Sequence, residues 1–250
     1  MWPLLGVVVV NNSMITAGVA PASHNPRCPH SPGSANLTRD YAMTLGRWRG
    51  ARAKGNPMPE LLVDFITSLD GYASAEGWPG YWGLEGPEYL AWLDQSPERN
   101  YTTLMGATTY RLMSGFAATS DDDSFAQLTE MSKVVFSSTL NEPLAWANTR
   151  LVDEDPVKAV RSLKAESTGG FRTIGSLTLC RSLLEAGLVD RFRVVVFPVI
   201  TGRTGRERIY DGYPDVGLEM VASRTFDGRL QLLEYVPTVL TGPPSSERTD

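Results

Sequence analysis

Cysteine and histidine are nearly absent from this 250-residue chain, which holds two of each: Cys28, Cys180, His24 and His30. Two cysteines in unrelated contexts make no disulfide framework, and such a chain suits a reducing cytoplasm. Two histidines cannot supply a multi-histidine metal site, and no HExxH helix occurs. His24, Cys28 and His30 do lie close together, but in a proline-rich stretch where such side chains are ordinarily solvated. A strong charge of one sign is lacking too. Lys and Arg number 23 against 28 Asp and Glu, for a net charge of −5. That argues against broad nucleic-acid binding, which needs a basic surface, and leaves room for a local phosphate pocket. No apolar run is long enough to span a bilayer. The opening MWPLLGVVVV also lacks the positive start of a signal peptide, although Ala20 and Ala22 resemble a cleavage site and keep that reading open. Neither GxGxxG after a strand nor GxxxxGK[ST] is present, so the usual dinucleotide fingerprint and the P-loop are both missing.

What is there describes an ordinary globular protein, 42% hydrophobic and 20% charged, able to bury a core. The organisation is uneven. Residues 1–59 are apolar at first, then rich in Pro, Ser and Asn, then basic and Gly-rich. They read as a disordered or mis-assigned extension. Residues 241–250 read as a disordered tail. Between them, 60–240 alternate regularly. LLVDFITS, YTTLM, KVVFSS, TRLV, FRTI and RFRVVVFPVI have strand character. PEYLAWLDQ, ATTYRLMSG, SFAQLTEM, DPVKAVRSLKAE and SLTLCRSLLEA have helical character. Pro87 opens one helix, Gly115 closes another, Asp155 and Pro156 start a third, and Gly187 follows the last. Asp227-Gly228 reads as the turn of a final hairpin. This pattern predicts an α/β three-layer sandwich with a mostly parallel central sheet and a C-terminal antiparallel hairpin. RFRVVVFPVI is apolar enough for a central strand, or for an edge strand covered by a second subunit.

In such sheets ligands gather at the carboxyl ends of the strands. Three junctions there carry small or hydroxyl residues: Gly106 with Thr108 and Thr109; Ser137, Ser138 and Thr139; and Gly175 with Ser176. One is unremarkable as a plain turn. Three point to a phosphate-bearing cofactor approaching helix N-termini.

Four stretches in order, ITSLDGYAS, LMGATTYRLM, KVVFSSTL and TIGSLTLCRSLLEAGLVDRFRVVVFPVITGRTG, resemble the dihydrofolate reductase-like superfamily. They are most similar to the reductase (C-terminal) domain of the bacterial riboflavin-biosynthesis bifunctional deaminase-reductase. The resemblance runs from about Leu61 to Val239. It implies hydride transfer from NADPH, with NADH left open, to a pyrimidine or pterin-like small molecule, such as 5-amino-6-(5-phosphoribosylamino)uracil. By this resemblance Gly106, Thr108 and Thr109 bind phosphates on the adenosine side and Ser137, Ser138 and Thr139 line the adenine ribose. Gly175, Ser176, Leu177 and Thr178 hold the pyrophosphate. Asp70 would orient the substrate ring or help deliver a proton, with Ser68, Trp82 and Glu88 as further substrate contacts. The resemblance also implies a homodimer.

Alternatives stay open beside it. Asp70 before Gly71 also suits a plain β-turn. Gly77–Trp82 is either a loop closing over the site or a surface loop packing its own aromatics. Tyr89 stands where dihydrofolate reductases carry a carboxylate, with Glu88 one position away, which weighs against folate. Ala107 and Ser138 replace basic residues expected to meet a 2′-phosphate, and Arg111 or Arg150 would have to reach in instead. Another heterocycle reductase, and a non-catalytic dinucleotide-binding protein, are the competing functions.

Overall fold

The computed structural model describes Met43, residues 59–77, Gly80, 83–119 and 123–243, with backbone alone for 123–125. The expected extension before Pro59, apart from Met43, lies outside the described residues, as do Trp82 and 244–250.

The strands are β1 (Leu61–Ser68), β2 (Tyr72–Ala75), β3 (Thr102–Gly106), β4 (Lys133–Phe136), β5 (Thr149–Val152), β6 (Phe171–Thr173), β7 (Arg191–Phe197), β8 (Gly205–Arg208), β9 (Val216–Phe226) and β10 (Leu230–Val239). The α-helices are α1 (Pro87–Gln95), α2 (Ala107–Thr119), α3 (Asp123–Glu130), α4 (Pro156–Glu166) and α5 (Leu177–Glu185). Eight strands form one sheet in the order β5-β4-β3-β6-β1-β7-β10-β9, and β2 pairs with β8 in a separate ribbon. β1, β3, β4, β5, β6 and β7 run parallel, and β10 and β9 add antiparallel pairing. The expected three-layer arrangement is therefore what forms, and β7 is central rather than an edge. Among the described residues no helix is long and apolar enough to cross a membrane.

Period-two alternation decides the two faces. Leu61, Val63 and Phe65 join the α4 and α5 residues Val160, Cys180 and Leu183 in one core. On the other face Met105, Val135 and Ile174 pack with Tyr110, Met113 and Leu128 of α2 and α3. α2 runs through Gly115 to Thr119, so the expected stop at Gly115 is wrong. A Cβ there would meet open space, and the next turn packs Phe116 and Ala117 against the core. That packing outweighs the roughly 1 kcal/mol helix penalty of glycine.

The expected hairpin turn at Asp227-Gly228 forms, with φ of 51° and 66°, and it does a second job. Gly86 cannot cap α1 through a side chain. The Asp227 carboxylate accepts from the Glu88 and Tyr89 amides at 3.0 and 3.2 Å, and the Glu88 carboxylate accepts from the Asp227 amide at 2.9 Å. This is a capping box shared between distant segments. It also requires glycine at 86, where a Cβ would sit 2.1 Å from Asp227 Cγ. Asp227→Ala is expected to lower stability by about 1–2 kcal/mol, the usual range for a lost N-cap, in thermal or urea unfolding.

β7 looked purely apolar in its middle, yet Arg191 and Arg193 are buried. Register places Arg193 between Asp64 of β1 and Glu234 of β10. Its guanidinium donates to Asp64 at 2.6 Å and to Glu234 at 3.2 Å, and it lies 4.8 Å from the Trp92 ring centre. Arg191 meets Glu60, Glu98 and Glu234 at 2.6, 2.5 and 3.0 Å. Burial works against the charge of both arginines, but the surrounding carboxylates outweigh it and hold both above the usual range.

Candidate functional site

The C-terminal ends of β4, β3, β6 and β1 lie side by side along one sheet edge. At the end of β6 the chain turns through two consecutive left-handed residues, Gly175 (φ 57°) and Ser176 (φ 62°). Serine in that conformation costs roughly 1–2 kcal/mol, so something must hold it. The Ser176 hydroxyl oxygen accepts from the Gly106 amide at 2.7 Å and lies 2.7 Å from the Thr109 hydroxyl. The buried Cys180 thiol donates to the Gly175 carbonyl at 3.3 Å. Burial pushes that thiol up to about 12, so it is a packed donor and not a nucleophile.

This arrangement leaves a consequence at the helix. Ser176 sits at the N-cap of α5, but its side chain makes no cap hydrogen bond there, being turned towards Gly106. α4 differs: its Asp155 accepts from the Lys158 amide at 2.9 Å and closes its own N-terminus. The starts of α2 and α5 open into one hollow of about 490 Å³, lined by Gly106, Thr108, Thr109, Ser176, Leu177 and Thr178 among others. Six of the residues expected to bind cofactor are thus brought together. Apart from the Gly106 amide, which the Ser176 hydroxyl takes, their amides and hydroxyls are donors suited to an anion, and the two helix dipoles add to that preference.

Gly175 shapes the turn behind them. Ser137, Ser138 and Thr139 follow β4, whose last residue Phe136 lines the hollow, but do not line it themselves. The Ser137 hydroxyl accepts from the Thr139 and Leu140 amides at 3.0 and 3.1 Å, and Arg111 donates to the Thr139 hydroxyl at 3.0 Å. Arg150 is elsewhere. It lines a separate hollow with Thr102, Ser132, Lys133 and Asn148, where the parallel strands begin. Of the two candidate bases, the fold brings Arg111 alone to the edge where the parallel strands end, because Arg150 lies near the start of its strand.

Asp70 follows β1 in the turn to β2. Its carboxylate accepts from the Ser68 hydroxyl at 2.6 Å, the Thr201 amide at 3.1 Å and the Gly202 amide at 2.8 Å. Slight burial works upward, but these donors win and hold the carboxyl down at about 2. At neutral pH it is therefore an anion, the state that accepts a ligand N–H rather than the one that donates a proton. Ser68 is fully buried, and its oxygen also accepts from the Tyr72 amide at 2.9 Å. Glu88 is exposed and committed to the Asp227 turn, while Tyr89 is buried against Phe197 and Phe226. Trp82 falls outside the described residues.

One lining residue carried no sequence signal. Glu207 of β8 enters the hollow with a left-handed φ of 56°. Nothing local in GRER marks it, since both its backbone and its position depend on pairing with β2. Among the described residues no group of three or more His, Cys, Asp or Glu is placed to hold a metal ion.

Comparison with known proteins bears on this geometry. Residues 59–232 match the family model of the RibD C-terminal domain. Uncharacterized protein YyaP of Bacillus subtilis (strain 168) is 25% identical over 185 residues, covering 70% of this chain and 93% of that protein. A crystal structure of a candidate riboflavin biosynthesis protein from Shewanella sp. PV-4 superposes with a TM-score of 0.59 at 19% identity, over 72% of this chain and 99% of that one. The diaminohydroxyphosphoribosylaminopyrimidine deaminase/5-amino-6-(5-phosphoribosylamino)uracil reductase of Thermotoga maritima gives a TM-score of 0.51 at 14% identity, over 75% of this chain and 59% of that one. At these identities the structural likeness is one of fold.

Proposed function

Because the chain belongs to the RibD C-terminal domain family, we propose that it is an oxidoreductase that uses a reduced nicotinamide dinucleotide to reduce a pyrimidine-type small molecule. The observation that carries this is the hollow where α2 and α5 begin together, with Ser176 turned away from capping α5. The fit of a dinucleotide rests on that geometry: a left-handed Gly-Ser turn, hydroxyl donors and helix amides for a pyrophosphate, in a hollow of about 490 Å³. When bound, the reduced nicotinamide supplies hydride to an electron-poor C=N or C=O carbon.

The chain's own residues bind and orient. Thr108, Thr109, Ser176, Leu177 and Thr178 hold phosphate oxygens, while Gly106, whose amide is given to Ser176, and Gly175 keep the approach open. Arg111, fixed beside Thr139, meets a 2′-phosphate beside Ser137–Thr139 and favours NADPH over NADH. Asp70, an anion pinned by the 201–202 amides, accepts from a ring N–H of the substrate. The substrate class follows the uracil reductase named for the Thermotoga maritima relative. Folate is disfavoured, because Tyr89 is in the core and Glu88 is engaged by the hairpin.

Titration of the protein with NADPH and NADH, followed by tryptophan fluorescence, tests the cofactor. Oxidation of the bound dinucleotide with a panel of aminopyrimidines and pterins then tests the reaction. Saturable binding with turnover of a pyrimidine is the expected result. Binding without turnover of any panel member would leave a dinucleotide-binding protein in place of an enzyme.

Gly175→Val is expected to abolish measurable NADPH binding. A β-branched residue fits poorly at φ 57°, so folding suffers as well, by more than about 1 kcal/mol. Affinity per folded molecule, read by titration below the melting transition, separates the two effects. Gly187→Ala is the control. Gly187, with φ 64°, ends α5 away from the hollow and should lose stability alone. A Gly175→Val variant that folds and binds with parental affinity would remove the pyrophosphate role.

A further inference from the structure

Two hydroxyls meet where α2 and α5 begin, and their protons can be counted. A hydroxyl has one proton to give and two lone pairs to fill. The Ser176 oxygen accepts from the Gly106 amide at 2.7 Å, which fills one lone pair, and it lies 2.7 Å from the Thr109 oxygen. One of these two hydroxyls donates to the other, so one O–H proton is left over. Among the described residues neither side chain has a further acceptor for it.

Burial decides which proton is left. Although Thr109 borders the hollow, it is only 2% exposed. An O–H without an acceptor is costly there, because water cannot serve it. Ser176 is half-buried and lines the hollow, where solvent or a ligand can meet its proton. Thr109 therefore donates to Ser176. The serine oxygen then has both lone pairs filled, by the Gly106 amide and the Thr109 hydroxyl. Its own proton points away from both, as the tetrahedral arrangement around that oxygen requires. The backbone supports this state. Ser176 is held left-handed at φ 62° with its side chain turned from α5. A Cβ at Gly106 would come within 3.1 Å of the serine oxygen, so glycine at 106 admits the approach that fills the first lone pair. A serine with a spare lone pair takes a donor as readily as an acceptor, whereas one with both filled can only donate.

We propose that Thr109 is a positioning residue: its hydroxyl donates to Ser176 and fixes Ser176 as a donor-only contact, which selects an anionic ligand oxygen over a hydroxyl or amine at that point. The proposal rests on the dinucleotide reading above for the identity of the ligand. What Thr109 offers that ligand directly is its amide.

Calorimetric titration of the full chain with NADPH, and with inorganic pyrophosphate as the smallest probe, tests it. Ser176→Gly keeps the left-handed turn without strain and removes the donor. It is expected to weaken NADPH about ten-fold, the scale of a lost hydrogen bond to a charged group. Thr109→Val keeps the shape and the amide but takes away the proton. It should cost about three-fold or more in the parent, the scale of a neutral hydrogen bond, and nothing further in the Ser176→Gly background. Thr109→Ser should restore parental binding. Such non-additivity is what a double-mutant cycle reads, and lost packing at Thr109 would not produce it. An equal loss from Thr109→Val in both backgrounds, or no loss in either, would overturn the proposal, as would parental NADPH affinity in Ser176→Gly. A parent protein that binds pyrophosphate and not NADPH would bring down the dinucleotide reading instead, and the same variants would then be read on pyrophosphate. One that binds neither would bring down both.

Discussion

Asp70→Asn is expected to lower kcat/KM by about 10²-fold or more, the scale for losing a positioned catalytic group, with little change in NADPH affinity. The carboxylate collects the Ser68 hydroxyl and the Thr201 and Gly202 amides. An asparagine offers one acceptor oxygen, and its NH₂ group would face an N–H donor. The 201–202 loop would lose its anchor, and a substrate N–H would lose its acceptor. A plain turn before Gly71 predicts otherwise, since asparagine suits such a turn. The split between constants separates orienting from proton transfer: an orienting anion shows mainly in KM, a proton-delivering group mainly in kcat. With the carboxyl held down at about 2 against an ordinary 3.8, the KM effect is expected to dominate. The clamp's contribution to stability is complete above pH 4 or so and is lost as pH falls through about 2. Activity near neutral pH should therefore show no ionisation belonging to Asp70. Unchanged kcat/KM in Asp70→Asn, with a substrate the parent turns over, would reduce Asp70 to a turn residue.

Arg193→Met should be the most destabilising single change, costing about 3–5 kcal/mol, a large share of the roughly 5–15 kcal/mol that holds a domain together. Methionine fills the space but leaves Asp64 and Glu234 buried with one arginine fewer between them. The Trp92 ring loses its cation as well. Urea unfolding measures the loss. The companion variant Asp64→Leu/Arg193→Met/Glu234→Leu removes Arg193 with its two partners and leaves Arg191 paired with Glu60 and Glu98. It should recover much of the stability, because a row of paired charges replaced by apolar side chains of similar size loses little. A loss below about 1 kcal/mol in Arg193→Met would put the row on the scale of an exposed ion pair, against its burial.

Much of the fold was legible in local pattern. The apolar runs in LLVDFITS and KVVF, proline at 87 and 156, the Asp155 cap and the Asp227-Gly228 turn each act within a few residues, and each formed as expected. Gly115 misled because glycine weakens a helix without ending it when the following turn has a core to join. The β2–β8 ribbon escaped notice because its strands, YASA and GRER, carry no apolar run of the kind that marks β4. Nothing in RFRVVVFPVI marks Arg191 and Arg193 as buried, because their partners lie on β1 and just before it, on β10 and in the segment after α1.

The same division runs through the candidate site. Sequence by itself determined which residues carry donors at the strand ends: Gly106, Thr108, Thr109, Gly175 and Ser176, for small side chains and hydroxyls are properties of the residues themselves. Only the tertiary structure decided where those donors point. It turned Ser176 away from α5 and onto Gly106, committed Glu88 to a hairpin 139 residues away, left Arg150 with the hollow where the strands begin, and brought Glu207 into the lining of the helix-start hollow. A hydrogen bond's direction depends on both partners. When the second partner is supplied by a distant strand, chain order says nothing about it until the sheet has set the register.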